Sequence, residues 1–432
     1  MKRWHGLGRL GTAATALASV VVLAGGLDFA PVSPAMAAGM PGPGHDIPGR
    51  DTETKRSTLP PTDAPGVFGA GVGSHLWWQR FTRARRAPGV APPPPMVYVG
   101  GQTVGVRLFT RGLLVVGFQR VGPQGESPAA AADVRIGDRI ERVNGALVRT
   151  VDDLRRLIHL GGPQVWLTLR RGRETRRVCV RTVTDVAGNR HLGVYVRDKT
   201  TGIGTLTFFD PLHRCFGALG HVITDVDTGE PIEGSGALYP AEVTGIMRGE
   251  PGRPGEKKGH FVFPQRVMGE IEENCEFGVF GHMERPPAHL YLPRVIPVAR
   301  PDEVHDGPAM MLTVLHGQRV EAYQVQIERA VHQSVPDTRS MVVRVTDPRL
   351  LREAGGIIQG MSGSPILQDG RLVGAVTHVF LSDVTRGYGV YAAWMVEEAL
   401  RTAQHPRAGW PQAAWLPART QKGAVLGTRV AV

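Results

Sequence analysis

The chain has 432 residues, of which 42% are hydrophobic and 21% charged, enough for two or three folded domains. Its formal net charge is +11, but the basic residues are mostly scattered arginines, with no basic helix or aromatic-interleaved patch, so nucleic-acid binding is not expected. The three cysteines, Cys179, Cys215 and Cys275, contain no Cys-x-x-Cys pair. Their spacing argues against a disulfide scaffold or a cysteine zinc site and favours free thiols, with one bridge left open.

Residues 1–37 have the pattern of an export signal. Basic residues at the start precede an uncharged run from Leu10 to Leu27, and Ala35-Met36-Ala37 is a small-residue cleavage site. We expect a cleaved signal peptide or, alternatively, an uncleaved anchor that keeps the exported chain in contact with the membrane. Residues 38–95 are rich in Pro and Gly and predict a disordered linker.

Residues 96–185 predict a compact mixed α/β domain. Ser127-Pro128-Ala129-Ala130 indicates a capped short helix, and the strand Ile136–Val143 ends at an Asn144-Gly145 turn. Val151–Leu160 predicts an amphipathic helix. With Gly137-Asp138-Arg139-Ile140, these motifs resemble a PDZ domain.

The resemblance implies a groove in which an extended peptide adds as a strand, beside a glycine-bearing loop that binds the peptide carboxylate. We place that loop at Thr103, Val104, Gly105 and Val106, and the protein's own N-terminal region is a candidate ligand.

Residues 186–402 consist of short apolar runs broken by Gly and Pro, which is an all-β pattern. Near their end, Gly387–Tyr391 predicts a last strand, and Ala393–Leu400 predicts a helix after it. Residues 403–432 lose this periodicity and predict a loose tail.

The segment Gly360-Met361-Ser362-Gly363-Ser364-Pro365 resembles the nucleophile turn of trypsin-like serine proteases. Glycines let such a turn expose the Ser362 hydroxyl and aim the N–H groups of Gly360 and Ser362 at the carbonyl oxygen under attack. Ser364 is the alternative nucleophile, although the proline after it restricts its backbone. An ordinary Gly/Ser-rich turn is the non-catalytic interpretation.

A catalytic serine needs a base and a group that orients it. We select His221 as the base because small residues precede it at a strand end, in Phe216–His221. We select Asp347, at the end of an apolar strand, as the acid; Asp225 and Asp227 are rivals in a turn where we expect them to be solvated. The chain order His, Asp, Ser is that of trypsin-like enzymes, although Asp347 lies closer to the serine than that fold usually keeps its acid.

We expect neither a metal nor another cofactor. His282, Glu284 and His289 are the nearest to a metal-binding group, but they lie in a loop-like segment without helical ligand spacing.

Longer motifs carry a closer resemblance, to the stage IV sporulation protein B family of serine peptidases. They are Gly193–Asp198 with Thr201–Thr205, Gly217–Val222, Gly355–Pro365 and Gly374–Val379. The resemblance implies a mainly β chain, with a PDZ domain followed by a chymotrypsin/trypsin-like double β-barrel peptidase domain. It also implies an exported protease that processes itself and cleaves a membrane-bound regulator, in the space between forespore and mother cell, to activate late mother-cell transcription. The alternative is a catalytically inactive PDZ adaptor.

Overall fold

The computed structural model of the protein describes residues 93–121, 125–262, 267–405 and 430–432. The export segment, nearly all of the linker and most of the tail therefore lie outside the described residues. No helix among the described residues is long and apolar enough to cross a membrane.

Two long antiparallel strands, β2 (Thr103–Phe118) and β9 (Val194–Asp210), run through both domains. At one end Phe118 pairs with Val194, within the PDZ domain; at the other Thr103 pairs with Thr205, within the peptidase. The first strand, β1 (Met96–Val99), also pairs with peptidase strands. The expected PDZ boundary at residue 96 is therefore corrected, because the chain enters the peptidase sheet before it reaches the PDZ domain.

The PDZ domain packs two helices against a small sheet. Val115, Leu154, Ile158 and Val194 lie in its fully buried apolar core. As expected, the Ser127 hydroxyl caps a short helix by accepting from Ala130 N (3.2 Å), and Asn144-Gly145 forms a turn at positive φ. The domain contains α1 (Pro128–Ala131), β3 (Arg139–Val143), β4 (Ala146–Leu147), α2 (Val151–Gly161), β5 (Gln164–Arg171) and β6 (Glu174–Arg181).

Six strands of the first half of the peptidase domain pair in a ring, in the order β9-β10-β14-β13-β11-β2 and back to β9. Leu108, Leu206, Phe216 and Val279 lie in its apolar core. The strands of this half that follow β9 are β10 (Cys215–Ala218), β11 (Gly234–Met247), β12 (Glu256–Phe261), β13 (Gly269–Cys275), β14 (Gly278–His282) and β15 (Val295–Pro297).

The second half of the peptidase is a closed barrel in the order β16-β17-β18-β21-β20-β19. The predicted last strand and C-terminal helix are confirmed. Together the two rings give the expected double β-barrel. The elements are β16 (Gly307–Val314), β17 (Val320–Ala330), β18 (Met341–Val345), α3 (Pro348–Ala354), β19 (Pro365–Gln368), β20 (Arg371–Val379), β21 (Arg386–Tyr391) and α4 (Ala392–Gln404).

Short elements complete the fold. The strands β7 (Val183–Thr184) and β8 (Arg190–His191) pair with each other, and a 3₁₀ turn covers Pro301–Glu303. The last strand, β22 (Val430–Ala431), pairs with the beginning of β9. All three cysteines are free thiols.

Candidate active site

Ser362 lies on a turn between α3 and β19 whose shape depends on glycine. Gly360 and Gly363 both have φ of +90°. The turn leaves Ser362 partly exposed and buries Ser364 completely. The Ser362 hydroxyl donates to the carbonyl oxygen of Thr377 in β20 (2.8 Å). Of the two serines, only Ser362 is therefore open to a substrate.

The predicted oxyanion donors have the freedom that this role needs. Neighbouring backbone groups are paired, since Gly363 N donates to Val376 O (2.7 Å) and Ser364 N to Met361 O (2.8 Å). Within the described ranges, the N–H groups of Gly360 and Ser362 donate to no protein acceptor. Both groups are thus available to a substrate carbonyl oxygen.

Strand β9 of the first barrel holds the nucleophile turn through three hydrogen bonds. In β9, Thr205 N donates to Ser362 O (3.0 Å) and the Thr205 hydroxyl to Gly360 O (2.8 Å). The Thr207 hydroxyl donates to Gly363 O (2.8 Å). A Cβ on Gly363 would lie 2.2 Å from Thr205 O, so only glycine permits this approach. The serine of one barrel is therefore positioned by a strand of the other.

His221 follows β10 through a strained turn. Leu219 has φ of +70°, and Gly220 N donates to Ala218 O (2.9 Å), which closes a three-residue turn. A Cβ placed on Gly220 would lie 3.1 Å from Thr377 Cγ2, so the turn packs against the residue that holds Ser362. After this turn, the His221 ring lies beside His378 of the second barrel.

The surroundings of His221 suit a general base. Its Nδ1 lies 2.8 Å from Val222 O, so a proton on Nδ1 is donated there and Nε2 keeps its lone pair. Burial lowers the pKa of His221, which keeps the ring neutral at neutral pH. Its ring centroid is 5.0 Å from that of His378, the residue after Thr377. Ser362 and His221 thus both contact the Thr377–His378 segment, Ser362 through its hydroxyl at Thr377 and His221 through its ring at His378.

The structure does not bring Asp347 to His221. Asp347 caps α3: Oδ1 accepts from Arg349 N (2.9 Å), while Oδ2 accepts from Gln324 N (3.2 Å) and Arg349 Nη2 (2.9 Å). The Arg349 guanidinium lowers the pKa of this carboxyl to about 2. An aspartate directly before a proline is also a helix-start signal, which agrees with the cap. A catalytic role of Asp347 stays a prediction.

The rival acids are not solvated, and that expectation is wrong. Asp225 is fully buried and forms an ion pair with Arg197 of β9, which also contacts Asp227 (2.6 Å). Asp225 Oδ1 accepts from Thr228 N (3.1 Å). These carboxylates tie the loop after His221 to β9.

Asn274, at the end of β13, is a site residue that sequence reasoning missed. Its Oδ1 accepts from Ile223 N (2.9 Å), and its Nδ2 donates to Ile223 O (2.9 Å) and Ile232 O (3.0 Å). The amide thereby fixes the backbone two residues after His221. A single asparagine in a strand gives no signal of this role in the sequence.

The predicted PDZ loop is wrong. Thr103, Val104, Gly105 and Val106 are buried inside β2, with β9 on one side and β11 on the other, so they form neither a loop nor a free edge. A Cβ on Gly105 would lie 2.3 Å from the Phe261 ring. The glycine therefore allows close packing rather than carboxylate binding.

A turn at Leu192-Gly193-Val194 has the features expected of that loop. Gly193 has φ of +74°, and its carbonyl oxygen accepts from the Ser127 hydroxyl (2.8 Å) and Gln119 N (2.8 Å). Val194 begins the PDZ part of β9. The apolar-Gly-apolar triplet is visible in the sequence and is the signal that could have located this turn.

Of the three residues nearest to a metal-binding pattern in the sequence, His282 and Glu284 contact each other. His282 Nε2 lies 3.0 Å from Glu284 Oε1. No group of three possible metal ligands occurs among the residues that the structure describes.

Two β-barrels with a serine and a histidine at their junction, joined to a PDZ domain, define a PDZ-containing serine peptidase. The sequence profile of the SpoIVB peptidase S55 family matches residues 188–396, and a PDZ profile matches residues 121–171. The peptidase domain belongs to the SpoIVB peptidase S55 family, and the chain is a serine endopeptidase. No curated protein is found that matches it.

Three solved structures are similar to parts of the chain. The PDZ domain of the SdrC-like protein Lmo2051 from Listeria monocytogenes is 19% identical over 20% of this chain and 87% of its own (TM-score 0.17). The active form of the Rv3671c protease from M. tuberculosis is 16% identical; the match covers 49% of this chain and 77% of that protease (TM-score 0.28). The HtrA-type protease AlgW, with a decapeptide, is 12% identical; the match covers 51% of this chain and 59% of AlgW (TM-score 0.26).

Proposed function

We propose that this peptidase is a sporulation signalling protease of an endospore-forming cell. It processes itself and cleaves a membrane-bound regulator in the space between forespore and mother cell, which activates late mother-cell transcription. The observation that carries the proposal is the match of residues 188–396 to a family named for SpoIVB; Ser362 and His221, the proposed nucleophile and base, both lie within that range.

Catalysis begins with a rotation of Ser362. Its hydroxyl leaves Thr377 O, turns about the Cα–Cβ bond and gives its proton to His221 Nε2 as Oγ attacks the peptide carbonyl carbon. The carbonyl oxygen becomes an oxyanion that the N–H groups of Gly360 and Ser362 stabilise. The imidazolium then protonates the leaving amine, and water hydrolyses the acyl-enzyme in the same way.

Export follows from the N-terminal pattern. The basic start, the apolar run from Leu10 to Leu27 and the Ala35-Met36-Ala37 site direct the chain across the cytoplasmic membrane, secreted or N-terminally anchored. Such an anchor would place the peptidase beside a membrane-bound substrate. The N-terminal region, as a possible PDZ ligand, is also a candidate for self-cleavage.

Complementation tests the signalling role. The full chain would be expressed in an endospore-forming bacterium that lacks its own S55 peptidase, with a late mother-cell reporter as readout. We expect the wild type to restore the reporter and Ser362→Ala to fail at equal protein level. Restoration by Ser362→Ala would instead favour the adaptor function, and failure of every chain would contradict the sporulation role.

A further inference from the structure

The groove edge of the PDZ domain is already occupied. The start of β9 pairs with β2 on one side, where Val196 lies opposite Val115. On its other side it pairs with β22, where Val430 lies opposite Val196. Val194 N donates to Val432 O (3.0 Å), and Val432 N donates to Val194 O (2.9 Å). Residues 430–432 thus add a strand in the way in which PDZ domains bind peptides.

Side-chain burial supports a binding role for this segment. Val432 is 1% exposed and belongs to the same apolar cluster as Leu154 and Ile158 of α2. Burial of a single valine side chain stabilises the contact only modestly, which is weak enough for release. Because the segment belongs to the same chain, its effective concentration at the groove is on the order of millimolar.

The occupied edge is also connected to the active site. One residue beyond Val196, Arg197 forms the buried ion pair with Asp225 in the loop after His221. Further along the same strand, Thr205 and Thr207 bond the nucleophile turn. A single strand therefore contacts the PDZ occupant at one end and both catalytic elements farther along.

We propose that residues 430–432 are an intramolecular ligand of the PDZ groove, which another peptide must displace before it can bind. The occupant is this chain's own segment, and a competing peptide needs an extended backbone with a small branched apolar residue at the position of Val432.

Peptide binding tests the proposal. The probe is a fluorescein-labelled peptide with the sequence of residues 425–432, measured by fluorescence polarisation against the full chain and against a chain lacking residues 430–432. We expect the shortened chain to bind the probe at least tenfold more tightly, because the intramolecular competitor is gone. A probe ending in Asp instead of Val should bind neither chain. Equal affinity in both chains, or no binding by the shortened chain, would overturn the proposal.

A second variant and a mass measurement distinguish an intramolecular ligand from misfolding and from a dimer. Val432→Asp keeps the chain length and puts a charge into the apolar cluster, so it should open the groove as the deletion does. Circular dichroism checks that both variants stay folded. Light scattering gives the mass: if the intact chain is a dimer and the shortened chain a monomer, the segment comes from a second copy, and the intramolecular assignment is wrong.

An independent observation concerns Lys257 of β12, which is 2% exposed and lies beneath the nucleophile turn. Its Nζ donates to Thr313 Oγ1 (2.8 Å), which lies 3.0 Å from Ser364 Oγ. Ser364 Oγ is 3.5 Å from Thr205 Oγ1, whose hydroxyl donates to Gly360 O. A chain of polar contacts thus joins the lysine to the backbone of the proposed oxyanion donors.

The backbone and stem of Lys257 act on the same turn. Lys257 N donates to Gln359 O (3.0 Å), and a Cβ on Gly360 would lie 3.1 Å from Lys257 Cβ. Lys257 forms no ion pair with any residue in the described part of the chain, so its burial is costly and is not offset by a carboxylate. That cost lowers the pKa of Lys257 to about 7.

We infer that Lys257 is a positioning residue for the oxyanion turn. Through the Thr313 and Ser364 hydroxyls it holds the direction of the Gly360 and Ser362 N–H groups without touching the substrate. This inference rests on the serine-peptidase mechanism and not on the sporulation role.

Inactivation by a fluorophosphonate tests the inference without a known substrate. Lys257→Met keeps the stem and removes the amine, while Lys258→Met, on the exposed neighbouring residue, is the matched control. We expect Lys257→Met to lower the maximal inactivation rate by about 10–100-fold at an unchanged half-saturating concentration, because displaced donors stabilise the transition state less well.

The unfolding temperature of Lys257→Met distinguishes a positioning role of Lys257 from a general contribution to stability. Met removes the desolvation cost of the buried amine, so Lys257→Met should unfold at a temperature equal to or above that of the wild type. An unchanged inactivation rate would overturn the inference. A slower rate that accompanies a lower unfolding temperature would also overturn it, because general destabilisation would then explain the loss.

Discussion

The surroundings of one residue, His221, predict how the activity of the peptidase depends on pH. Burial lowers its pKa from the ordinary 6.5, and the base is active only when neutral. Activity should therefore fall on the acid side with a midpoint below pH 6.5, and a pH profile of the fluorophosphonate inactivation rate measures it. A midpoint above 6.5 would mean that a nearby carboxylate stabilises the imidazolium, contrary to the contact with Val222 O.

Asp347 distinguishes a catalytic from a structural carboxylate. With a pKa of about 2 in the folded protein, against 3.8 ordinarily, it contributes about 2 kcal/mol of stability above pH 4, which is lost as the pH falls towards 2. Asp347→Asn should thus lower the free energy of unfolding at pH 7 by about 1–2 kcal/mol, measured by urea denaturation, and remove part of the acid dependence.

The same variant tests the triad role. A catalytic acid would reduce the inactivation rate by about 10⁴-fold at little cost in stability. The contacts that Asp347 makes as a helix cap predict the opposite result. The inactivation rate should change little, while the free energy of unfolding should fall. Asp225→Asn is the comparison, because it disrupts the buried pair with Arg197 in the loop after His221.

At the scale of elements, Gly363 joins β9 to the nucleophile turn. A Cβ there would lie 2.2 Å from Thr205 O and 2.4 Å from Leu219 N, so Gly363→Ala must separate the barrels locally. We expect loss of activity and a decrease of about 2–4 kcal/mol in the free energy of unfolding.

Gly370→Ala is the matched control, since Gly370 has φ of +73° but no atom within 4 Å of a Cβ. Gly370→Ala should lower the free energy of unfolding by only about 1 kcal/mol, because of backbone strain, and should leave activity intact. Urea denaturation and inactivation by the fluorophosphonate measure both variants. Equal effects of the two substitutions would show that strain, rather than the contact between barrels, is responsible.

The elements also explain which expectations a sequence can support. Local signals succeeded: the Ser127-Pro128 cap, the Asn144-Gly145 turn and the glycines around Ser362 each depend on neighbouring residues alone. The Thr103–Val106 prediction failed because an apolar-Gly-apolar string fits both a carboxylate-binding loop and a tightly packed barrel strand. Only the pairing of β2 with β9 and β11 distinguishes them.

Contacts between distant segments gave no sequence signal. In the sequence, Lys257 is followed by Lys258, and two adjacent lysines usually indicate solvent-exposed side chains. Lys257 is nevertheless buried, against the nucleophile turn that lies about 100 residues later in the chain. Arg197 meets Asp225 only after β9 and the His221 loop have folded against each other. Such buried polar groups are recognised from the fold, because the partners that offset their burial are set by tertiary structure.

In the molecule as a whole, β2 and β9 pair with each other in both domains, with register shifts after Phe109 and Val115, and so connect the PDZ domain to the peptidase. We therefore expect the described region to unfold in one cooperative transition by calorimetry. A fragment of residues 96–185 should not fold, because it lacks the Val194–Arg197 strand and contains peptidase strands without their partners. Two separate transitions, or a folded fragment, would contradict the shared-strand architecture.

We propose that Ser362 is the nucleophile and that His221 is its base. The direct measurement is the labelling of the intact chain by a fluorophosphonate probe, with the modified residue located by peptide mass spectrometry. We predict a single adduct on Ser362, none in Ser362→Ala, slow labelling in His221→Ala and a Ser362 adduct in Ser364→Ala. An adduct on Ser364, or equal labelling of the wild type and His221→Ala, would contradict the claim.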